Sequence, residues 1–345
     1  MYVIGDDVIK FRSEYPNVNF INLKIQRNPN PIFDLYCLFK LFIYFVRIKP
    51  DIVHSIMTKS GLMAMIASKF SGTKVRIHTF TGQVWANKVG VKRTLLKLID
   101  ILICNFSTNC LTDSHSQSEY LLQNGVSKNN KKIDVLHKGS LSGVDFNRIV
   151  KLTTEEKSKL RNNYNLKETD FVLGYIARKS EEKGCIEMLE IFKSSHREIP
   201  NLKLLFVGPD ESKGKITEFL QKNTYLKEYI ISLDFSFNHF ELLNIIQILC
   251  LPSKREGFGS IIIDASAIGT ISIGYDIVGI KDSIQNSVNG FKVSQNNRDE
   301  FIDMIKLIHS QNSLLNEMQN KCIEYARLNF DADLLNNKLY QYYDS

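Results

Sequence analysis

The sequence predicts an α/β protein of two domains, each built on a parallel sheet. Predicted strands and helices alternate along the whole chain, which is typical of parallel sheets with crossover helices. The length of 345 residues suits two domains of ordinary size, each with its own core. A polar, charged stretch at residues 151–170 separates the two halves. We therefore predict a first domain at residues 1–160, a second at 161–328 and a C-terminal helix at 329–345.

In the first half, short apolar runs predict strands and longer amphipathic stretches predict helices. The first strand, residues 2–5, ends in Asp6-Asp7 and is followed by no Gly-rich turn. The first strand of a doubly wound sheet normally lies at its centre, in the order 3-2-1-4, so we interpret residues 2–5 as the second strand of such a sheet. Further strands are predicted at 18–23, 52–55, 75–79, 110–113 and 133–136, and helices at 34–47, 61–70, 92–106 and 114–124.

The second half repeats the alternation. Strands are predicted at residues 171–176, 203–207, 229–233, 248–251 and 270–274. A loop then leads to a helix at 298–309, and the last helices run from residue 313 to the C-terminus.

The composition is that of a globular protein with a modest basic excess. The net charge is +7. Nucleic acid, an anionic membrane face or phosphorylated substrates could each account for it, and nucleic acid fits least because the sequence has no basic block. Six cysteines lie mostly in apolar runs without a CxxC pair, which predicts buried thiols in a reducing compartment and neither a zinc site nor a disulfide framework.

Membrane contact is left open by the sequence. No apolar run reaches the roughly 18 residues of a spanning helix, and the short, acidic start predicts no signal peptide. Residues 35–48, LYCLFKLFIYFVRI, carry Lys40 and Arg47, and residues 94–106 have a similar balance. Each fits a core helix or a helix lying on a membrane surface.

The most informative segment is LPSKREGFGSIIID, residues 251–264. A strand ends at a Pro-Ser break, and a Gly257-Phe258-Gly259 loop then opens an apolar helix. Loop glycines let backbone N–H groups approach a ligand, and a helix N-terminus favours an anion. Glu256 and Asp264 flank this loop. A phosphate-binding loop with carboxylates beside it suits a ligand that has both phosphates and hydroxyls, such as a nucleotide sugar.

A second segment, residues 174–184, follows the first strand of the second domain. Ligands of α/β sheets bind at the carboxyl ends of strands, where this loop lies. Arg178 offers a planar fork for phosphate oxygens, and Lys183 adds a point charge. The alternative is a solvated charged loop, because Glu181 and Glu182 lie between the two cations.

These two segments resemble the retaining glycosyltransferases of family 4, which have the GT-B fold. The segments HTFTGQVW (78–85), KGSLSGVD (138–145) and VGIKD (278–282) resemble the members that build bacterial capsular and O-antigen polysaccharides. The resemblance covers about residues 51–291 in order. It implies two Rossmann-like domains facing each other across a cleft, with the C-terminal helix crossing back to the first domain.

The resemblance also implies roles for individual residues. Arg178 and Lys183 would bind the donor diphosphate, Glu256 the sugar hydroxyls and Asp264 the ribose hydroxyls. The amides of Gly257, Phe258 and Gly259 would lie near the sugar and phosphates. From the first domain, His78 would act beside Glu256 at the sugar, and Gly82 would face the acceptor.

Several departures accompany the resemblance. Asp264 replaces the usual Glu and is one methylene shorter, and Ala177, Asp234, Ile271 and Val278 replace common Gly or Pro residues. The family's first strand and its Gly-rich loop are not found. We expect that the absent strand would lie between residues 2–5 and 52–55, and that this chain is a shortened form that binds donor yet transfers sugar poorly.

The chemistry follows from the charge on the leaving group. Breaking a sugar–phosphate bond releases a nucleoside diphosphate, whose growing negative charge Arg178, Lys183 and a helix N-terminus can stabilise without a metal. An Asp-x-Asp occurs only at Asp331-Ala332-Asp333, between helical stretches, where we interpret it as a helix cap.

We therefore expect a retaining glycosyltransferase that needs no cofactor or metal. It would move sugar from a UDP-sugar to a lipid-linked saccharide acceptor, as a cytoplasmic protein peripheral at the inner face of the cell membrane. Its partners would be the donor, the acceptor and the anionic membrane surface, with no nucleic acid. Two alternatives stay open: a weakly active or inactive sugar-nucleotide-binding protein, and a nucleotide-sugar epimerase of the same fold. An NAD-dependent oxidoreductase would need a G-x-G-x-x-G, and the sequence has none.

Overall fold

The computed structural model describes residues 1–26, 28–127, 131–234 and 238–344. The chain divides into two compact units. Unit 1 comprises Met1–Thr112 and Leu121–Asp134, and unit 2 comprises Asp113–Tyr120 and Val135–Ser345. The predicted α/β class with parallel sheets is confirmed. The domain boundaries near residues 160 and 328, and the return of the last helix to the first domain, stay predictions.

Unit 1 contains two sheets. A parallel pair, β1-β2, stands apart from a four-stranded sheet of order β3-β4-β5-β6. The strands β1 and β3, between which we expect an absent strand, thus belong to different sheets, and β3 forms an edge. That expectation stays a prediction. The strands are β1 (Tyr2–Gly5), β2 (Asn19–Asn22), β3 (Ile52–Ile56), β4 (Val75–Phe80), β5 (Asn109–Thr112) and β6 (Ile133–Val135).

Three helices of unit 1 form a row in which α2 contacts both α1 and α3. They are α1 (Pro31–Ile48), α2 (Thr58–Phe70) and α3 (Gly90–Phe106), and α4 (His115–Gln123) follows β5. Helix α1 begins where Asn30 Oδ1 accepts the Phe33 N–H and Pro31 occupies the first turn, and it ends at the left-handed Lys49. None of the helices in the described ranges is both long and apolar enough to cross a membrane.

Trp85 is the centre of a buried group beneath α3. Its Nε1–H donates to Asp100 Oδ2 over 2.7 Å, and Arg93 and Lys97 lie over its ring. Trp85 and Phe80 are both buried in unit 1, so each contributes to its core. The carboxylate of Asp100 is buried with this indole as a partner.

Unit 2 is built on a six-stranded sheet of order β12-β11-β10-β7-β8-β9, in which all neighbours are parallel. Its apolar runs are buried on both faces, as a parallel sheet covered by helices requires. Strand β12 lies where the sequence predicts a loop, so that part of the prediction is wrong. The strand was missed because it is a short edge strand with Lys292 inside it and has no apolar run. The strands are β7 (Phe171–Ile176), β8 (Leu202–Val207), β9 (Ile230–Leu233), β10 (Ile248–Leu251), β11 (Ile271–Tyr275) and β12 (Gly290–Val293).

The helices of unit 2 cover both faces of this sheet. The polar stretch at 151–170 contains α5, which begins with a capping box between Thr153 and Glu156. The helices are α5 (Thr154–Asn163), α6 (Cys185–His196), α7 (Lys215–Lys222), α8 (His239–Leu243), α9 (Ser260–Ile268), α10 (Ile280–Ser283), α11 (Arg298–Ser310), α12 (Asn312–Phe330) and α13 (Ala332–Asp344).

The end of α12 closes a small second core of unit 2. Phe330 packs on Phe258 with ring centroids 5.4 Å apart, and Val144 N–H donates to the Phe330 carbonyl over 2.7 Å. Asp331 Oδ1 accepts the Asp333 N–H, so the Asp331-Ala332-Asp333 sequence caps α13 as predicted. The six cysteines are buried thiols, which confirms that part of the prediction.

A test of the unit 1 core uses the titration of Asp100. Burial raises the pKa of Asp100 to about 7 from its ordinary value of 3.8. The folded chain keeps this proton to higher pH than the unfolded chain. The contribution of Asp100 to the unfolding free energy is therefore fully present below pH 3.8 and is lost as pH rises to about 7. The Asp100→Asn variant keeps an acceptor for Trp85 and does not titrate. We expect the unfolding free energy of this variant to lack a pH-dependent decrease of up to about 4 kcal/mol that the parent shows.

The measurement is urea unfolding at several pH values, followed by the fluorescence of Trp85, the single tryptophan of the chain. The difference in unfolding free energy between variant and parent should change with pH over this window. A difference that is constant with pH would contradict the assignment of this proton to Asp100.

Candidate functional site

The two sequence segments with predicted donor-binding residues meet at one edge of the unit 2 sheet. Strands β7 and β10 are parallel neighbours, with Leu173 opposite Ile248. Arg178 and Lys183 follow β7, and Glu256 follows β10. Both loops therefore leave the carboxyl edge, where α/β sheets bind ligands.

Lys183 and Glu256 are in direct contact. Lys183 Nζ lies 2.5 Å from Glu256 Oε2, and Ser253 Oγ donates to the other carboxylate oxygen, Oε1, over 2.9 Å. The Glu256 side chain is largely buried, and the Lys183 side chain is 21% exposed. The hydroxyl and the cation thus fix the orientation of the carboxylate at the edge of the sheet.

Backbone packing holds these two loops together. Gly184 has a φ of +71°, and a Cβ placed on it would lie 1.9 Å from the carbonyl oxygen of Pro252. The Tyr175 hydroxyl accompanies this contact, with the carbonyl oxygens of Arg178 and Lys183 at 2.9 and 3.2 Å. Only glycine allows the loop after β7 to approach the loop after β10 so closely.

Other cations of this region have acidic partners. Arg178 contacts Glu211 at 2.6 Å, with both side chains about one third exposed, and Arg255 contacts Glu182 at 2.7 Å. Lys179 is buried: its Nζ donates to Ser232 Oγ and to the Leu233 carbonyl, and burial lowers its pKa. Lys179 thereby ties the end of β7 to β9.

The Gly-Phe-Gly loop leads into α9 as predicted. Gly259 precedes the first turn of α9, and Phe258 is buried in the small second core. Asp264 lies in the middle of α9, partly buried, with its Oδ2 3.0 Å from His239 Nε2. His239 is the first residue of α8, so Asp264 already has a ring nitrogen as a neighbour.

The segment Asp113–Tyr120, which belongs to unit 2 although unit 1 residues flank it in the sequence, supports the same loops. Ser114 Oγ donates to the Gly257 carbonyl over 2.9 Å. Ser116 Oγ accepts the Gly279 N–H over 2.9 Å and contacts Asp282 Oδ2, which also accepts the Ser116 N–H. These hydroxyls fix the loops at 257 and 279–282 against each other.

Asp113 adds a third carboxyl group to this region. It is buried, and burial together with the nearby carboxylates of Glu256 and Asp282 raises its pKa to about 7. The Asp113 carboxyl therefore holds a proton up to near-neutral pH. Three carboxyl groups thus lie in one region, and the proton on Asp113 lowers the negative charge beside Glu256 and Asp282.

The two predicted residues of unit 1 lie on β4 and the loop after it. His78 is 1% exposed, and its Nδ1 lies 2.8 Å from Ser55 Oγ. Burial and the neighbouring His54 lower the pKa of His78 to about 3, so the ring is neutral. A Cβ on Gly61 would lie 2.3 Å from His78 Cε1, so Gly61 leaves the space for this ring. Gly82 has a φ of +96°. The catalytic role of His78 and the acceptor role of Gly82 stay predictions.

Sequence reasoning missed most of the supporting residues. Ser253 could have been found, because it precedes Glu256 by three residues in the same segment. Ser114, Ser116 and His239 carry no such signal, since their partners lie far away in the chain. Among the described residues, no group of three or more His, Cys, Asp or Glu is placed to hold a metal ion.

Comparison with known proteins identifies the family. Residues 156–329 match the family described as glycosyl transferases group 1. The chain belongs to this family. The predicted resemblance to GT-B glycosyltransferases of capsule and O-antigen synthesis is confirmed at the level of family and fold.

This group 1 glycosyltransferase has curated relatives in bacterial polysaccharide synthesis. It is 26% identical over 317 residues to the capsular polysaccharide biosynthesis glycosyltransferase CapM of Staphylococcus aureus, covering 90% of this chain and 81% of that protein. It is 25% identical over 301 residues to the UDP-Gal:alpha-D-GlcNAc-diphosphoundecaprenol alpha-1,3-galactosyltransferase of Escherichia coli, covering 86% and 76%.

A solved structure has the same two-domain fold as this group 1 glycosyltransferase. Anabaena Alr3699/HepE in complex with UDP-glucose superimposes with a TM-score of 0.83 at 18% identity, over 99% of this chain and 91% of that chain. The fold prediction of a GT-B protein is thus confirmed.

The close approach of the two loops can be tested with a matched pair of glycines. Gly184 and Gly214 both precede a helix with positive φ, of +71° and +84°, but a Cβ on Gly214 meets nothing within 4 Å. We expect Gly214→Ala to cost about 1–2 kcal/mol of unfolding free energy, the strain of left-handed backbone. Gly184→Ala must also displace the Pro252 carbonyl and should cost about 3 kcal/mol or more. Urea unfolding measures both, and equal losses would refute the packing role of Gly184.

Proposed function

We propose that this chain is a retaining, metal-independent glycosyltransferase that moves a sugar from a UDP-sugar to a lipid-linked glycan acceptor in bacterial surface polysaccharide synthesis. The observation that carries the proposal is the meeting of Lys183 and Glu256 at the carboxyl edge of the unit 2 sheet, 2.5 Å apart. A cation for phosphate and a carboxylate for hydroxyls thereby lie side by side, as a nucleotide sugar requires.

Charge on the leaving group determines the roles. As the bond between sugar and diphosphate breaks, the diphosphate gains negative charge, and Arg178 and Lys183 stabilise it. The N–H groups at the start of α9, behind Gly257-Phe258-Gly259, add a positive dipole end. Cations and dipole act on the same oxygens, so the leaving group needs no metal.

The sugar and the ribose are held by carboxylates. Glu256, oriented by Ser253, accepts sugar hydroxyls, and Asp264 accepts the ribose hydroxyls. His239 Nε2, 3.0 Å from Asp264 Oδ2, orients this carboxylate. In unit 1, His78 is assigned a catalytic role and Gly82 a role on the acceptor side.

The names of relatives support the donor and the acceptor. The Escherichia coli relative uses UDP-Gal and a diphosphoundecaprenol-linked sugar by its name, and HepE was solved with UDP-glucose. A lipid-linked acceptor places the reaction at a membrane surface, and we assign this chain to the inner face as a peripheral protein.

A screen of UDP-sugars tests the proposal. Thermal stabilisation by one UDP-sugar, followed by product analysis with a membrane lipid extract, should reveal a glycolipid and released UDP. A sugar isomerised by protein and donor alone would indicate an epimerase. Stabilisation without any product or UDP release would indicate a binding protein. Either result would overturn the proposed transfer.

The donor residues can be tested by substitution with matched controls. Arg178→Ala and Lys183→Ala should each weaken UDP binding by about tenfold to a hundredfold, since each removes a charged contact to phosphate. Arg197→Ala and Lys215→Ala, which remove exposed cations of the same unit, should leave UDP binding unchanged. Isothermal titration with UDP measures all four, and unchanged affinity in both donor-site variants would refute the placement of the diphosphate.

Glu256 should affect turnover more than donor binding. Glu256→Gln keeps the size of the side chain and removes the charge, so we expect kcat to fall by about 10²–10³ with a smaller change in UDP affinity. The thermal unfolding midpoint is recorded in parallel, because Lys183 loses its partner. A variant with full turnover would remove Glu256 from the reaction.

A further inference from the structure

Helix α3 has an apolar stripe on its outer surface. Val91, Leu95, Leu98 and Leu102 are 43–76% exposed. Their spacing of four, three and four residues puts them on one side of the helix. An ordinary surface helix packs its apolar side against the core. An exposed apolar stripe therefore indicates a surface that binds a partner.

The opposite side of α3 is buried and carries both charged and apolar residues. Asp100 is buried there with Trp85, and Arg93 and Lys97 lie over the indole ring. Ile103 and Cys104 complete the buried side. Helix α3 therefore has apolar residues on its buried side and a second row of apolar residues on its exposed side, unlike a solvated amphipathic helix.

Helix α1 has a second exposed stripe. Ile32, Leu35, Tyr36, Phe39 and Val46 are exposed, and apart from the adjacent pair Leu35-Tyr36 they are spaced by three, four or seven residues. The mostly buried helix α2 lies between α1 and α3 and contacts both. Two apolar stripes thus flank one helix in the same row of unit 1.

The net positive charge of the chain comes from the part of the sequence that carries both stripes. Residues 1–112 contain 15 Lys and Arg against 6 Asp and Glu, a net charge of +9, whereas residues 113–345 contain 29 against 31. The basic excess of the whole chain therefore comes from the part that forms most of unit 1.

The basic residues lie beside the stripes, and the acidic ones are occupied. Lys40 and Arg47 are seven residues apart on one edge of the α1 stripe, and Lys92 lies beside the α3 stripe. Lys40 Nζ lies 4.8 Å above the Tyr36 ring, an arrangement of aromatic and cation suited to a lipid interface. The acidic residues of these two helices are Asp34, bound by Lys59 at 2.6 Å, and the buried Asp100.

We propose that the exposed stripes of α1 and α3, with Lys40, Arg47 and Lys92, form a docking face for an anionic lipid bilayer. This face deepens the proposed function and rests on it only for the reason to visit a membrane, the lipid-linked acceptor. Leucines and aromatic rings enter the headgroup boundary while the basic residues contact lipid phosphates. A second copy of the chain is disfavoured at this face, because two surfaces of the same positive charge would oppose each other.

The test is binding to vesicles by the full chain, without donor or acceptor. Vesicles of phosphatidylcholine with about one third phosphatidylglycerol should bind the chain at low salt, and pure phosphatidylcholine or high salt should release most of it. The double variant Leu95→Asp/Leu98→Asp should lower the partition coefficient at least about tenfold.

A matched control separates this face from general exposure. Leu328 and Leu307 are helical leucines of unit 2 with 63% and 41% exposure, close to the 58% and 46% of Leu95 and Leu98. The variant Leu307→Asp/Leu328→Asp has the same change of charge and should bind vesicles like the parent. Thermal unfolding confirms that both variants fold.

The outcomes distinguish this face from the proposed function. Equal vesicle binding by both double variants, or no binding by the parent, would overturn the docking face even if sugar transfer is found. Vesicle binding that depends on Leu95 and Leu98, in a chain that transfers no sugar, would refute only the proposed function. A dimer in light scattering that Leu95→Asp/Leu98→Asp dissociates would assign the face to a second copy instead.

Discussion

The close contact between the loops after β7 and β10 is the constraint on which the candidate site depends. Parallel pairing brings the ends of two distant strands together, but only the bare backbone of Gly184 lets the loops touch at Pro252. Lys183, the residue before this glycine, thereby reaches Glu256. The ion pair keeps one geometry only if the backbone that carries Lys183 is fixed. Here the close approach of the Gly184 and Pro252 backbones fixes it.

Ser114, Ser116 and Asp282 extend this constraint to the other loops. The Gly257 carbonyl hydrogen-bonds to Ser114, just before α4, and the Gly279 N–H and the Asp282 carboxylate hydrogen-bond to Ser116 in its first turn. Two loops of the unit 2 sheet, at 257 and 279–282, thus share one pair of serine hydroxyl groups. The carboxylates of the site are held close together at the cost of mutual repulsion, which the protonated Asp113 relieves.

Much of unit 2 could be predicted from the sequence because its strands are buried on both faces. The apolar runs of β7 and β10 stand out against their polar flanks, and both were predicted to the residue. Strand β12 has no such run, and its pairing with β11 depends on the sheet already being present. Arg178, Lys183 and Glu256 could be found because charge and glycine spacing are visible in the sequence. Ser116 could not, since its hydrogen bond to Asp282 joins residues 166 positions apart. The burial of His78 also depends on a distant residue, Gly61, whose missing side chain leaves no pattern.

The position of α12 has a consequence for the order in which the chain folds during synthesis. Helix α9, behind the Gly-Phe-Gly loop, packs against α12, and Phe258 rests on Phe330. Val144 completes the same small core through backbone hydrogen bonds to Phe330 and Ala332. Helix α12 and Phe330 follow all the strands of the three described sheets along the chain. Until α12 has been made, the loop that opens α9 lacks the surface against which it packs, so unit 2 stays incomplete in the nascent chain even after all its strands are present.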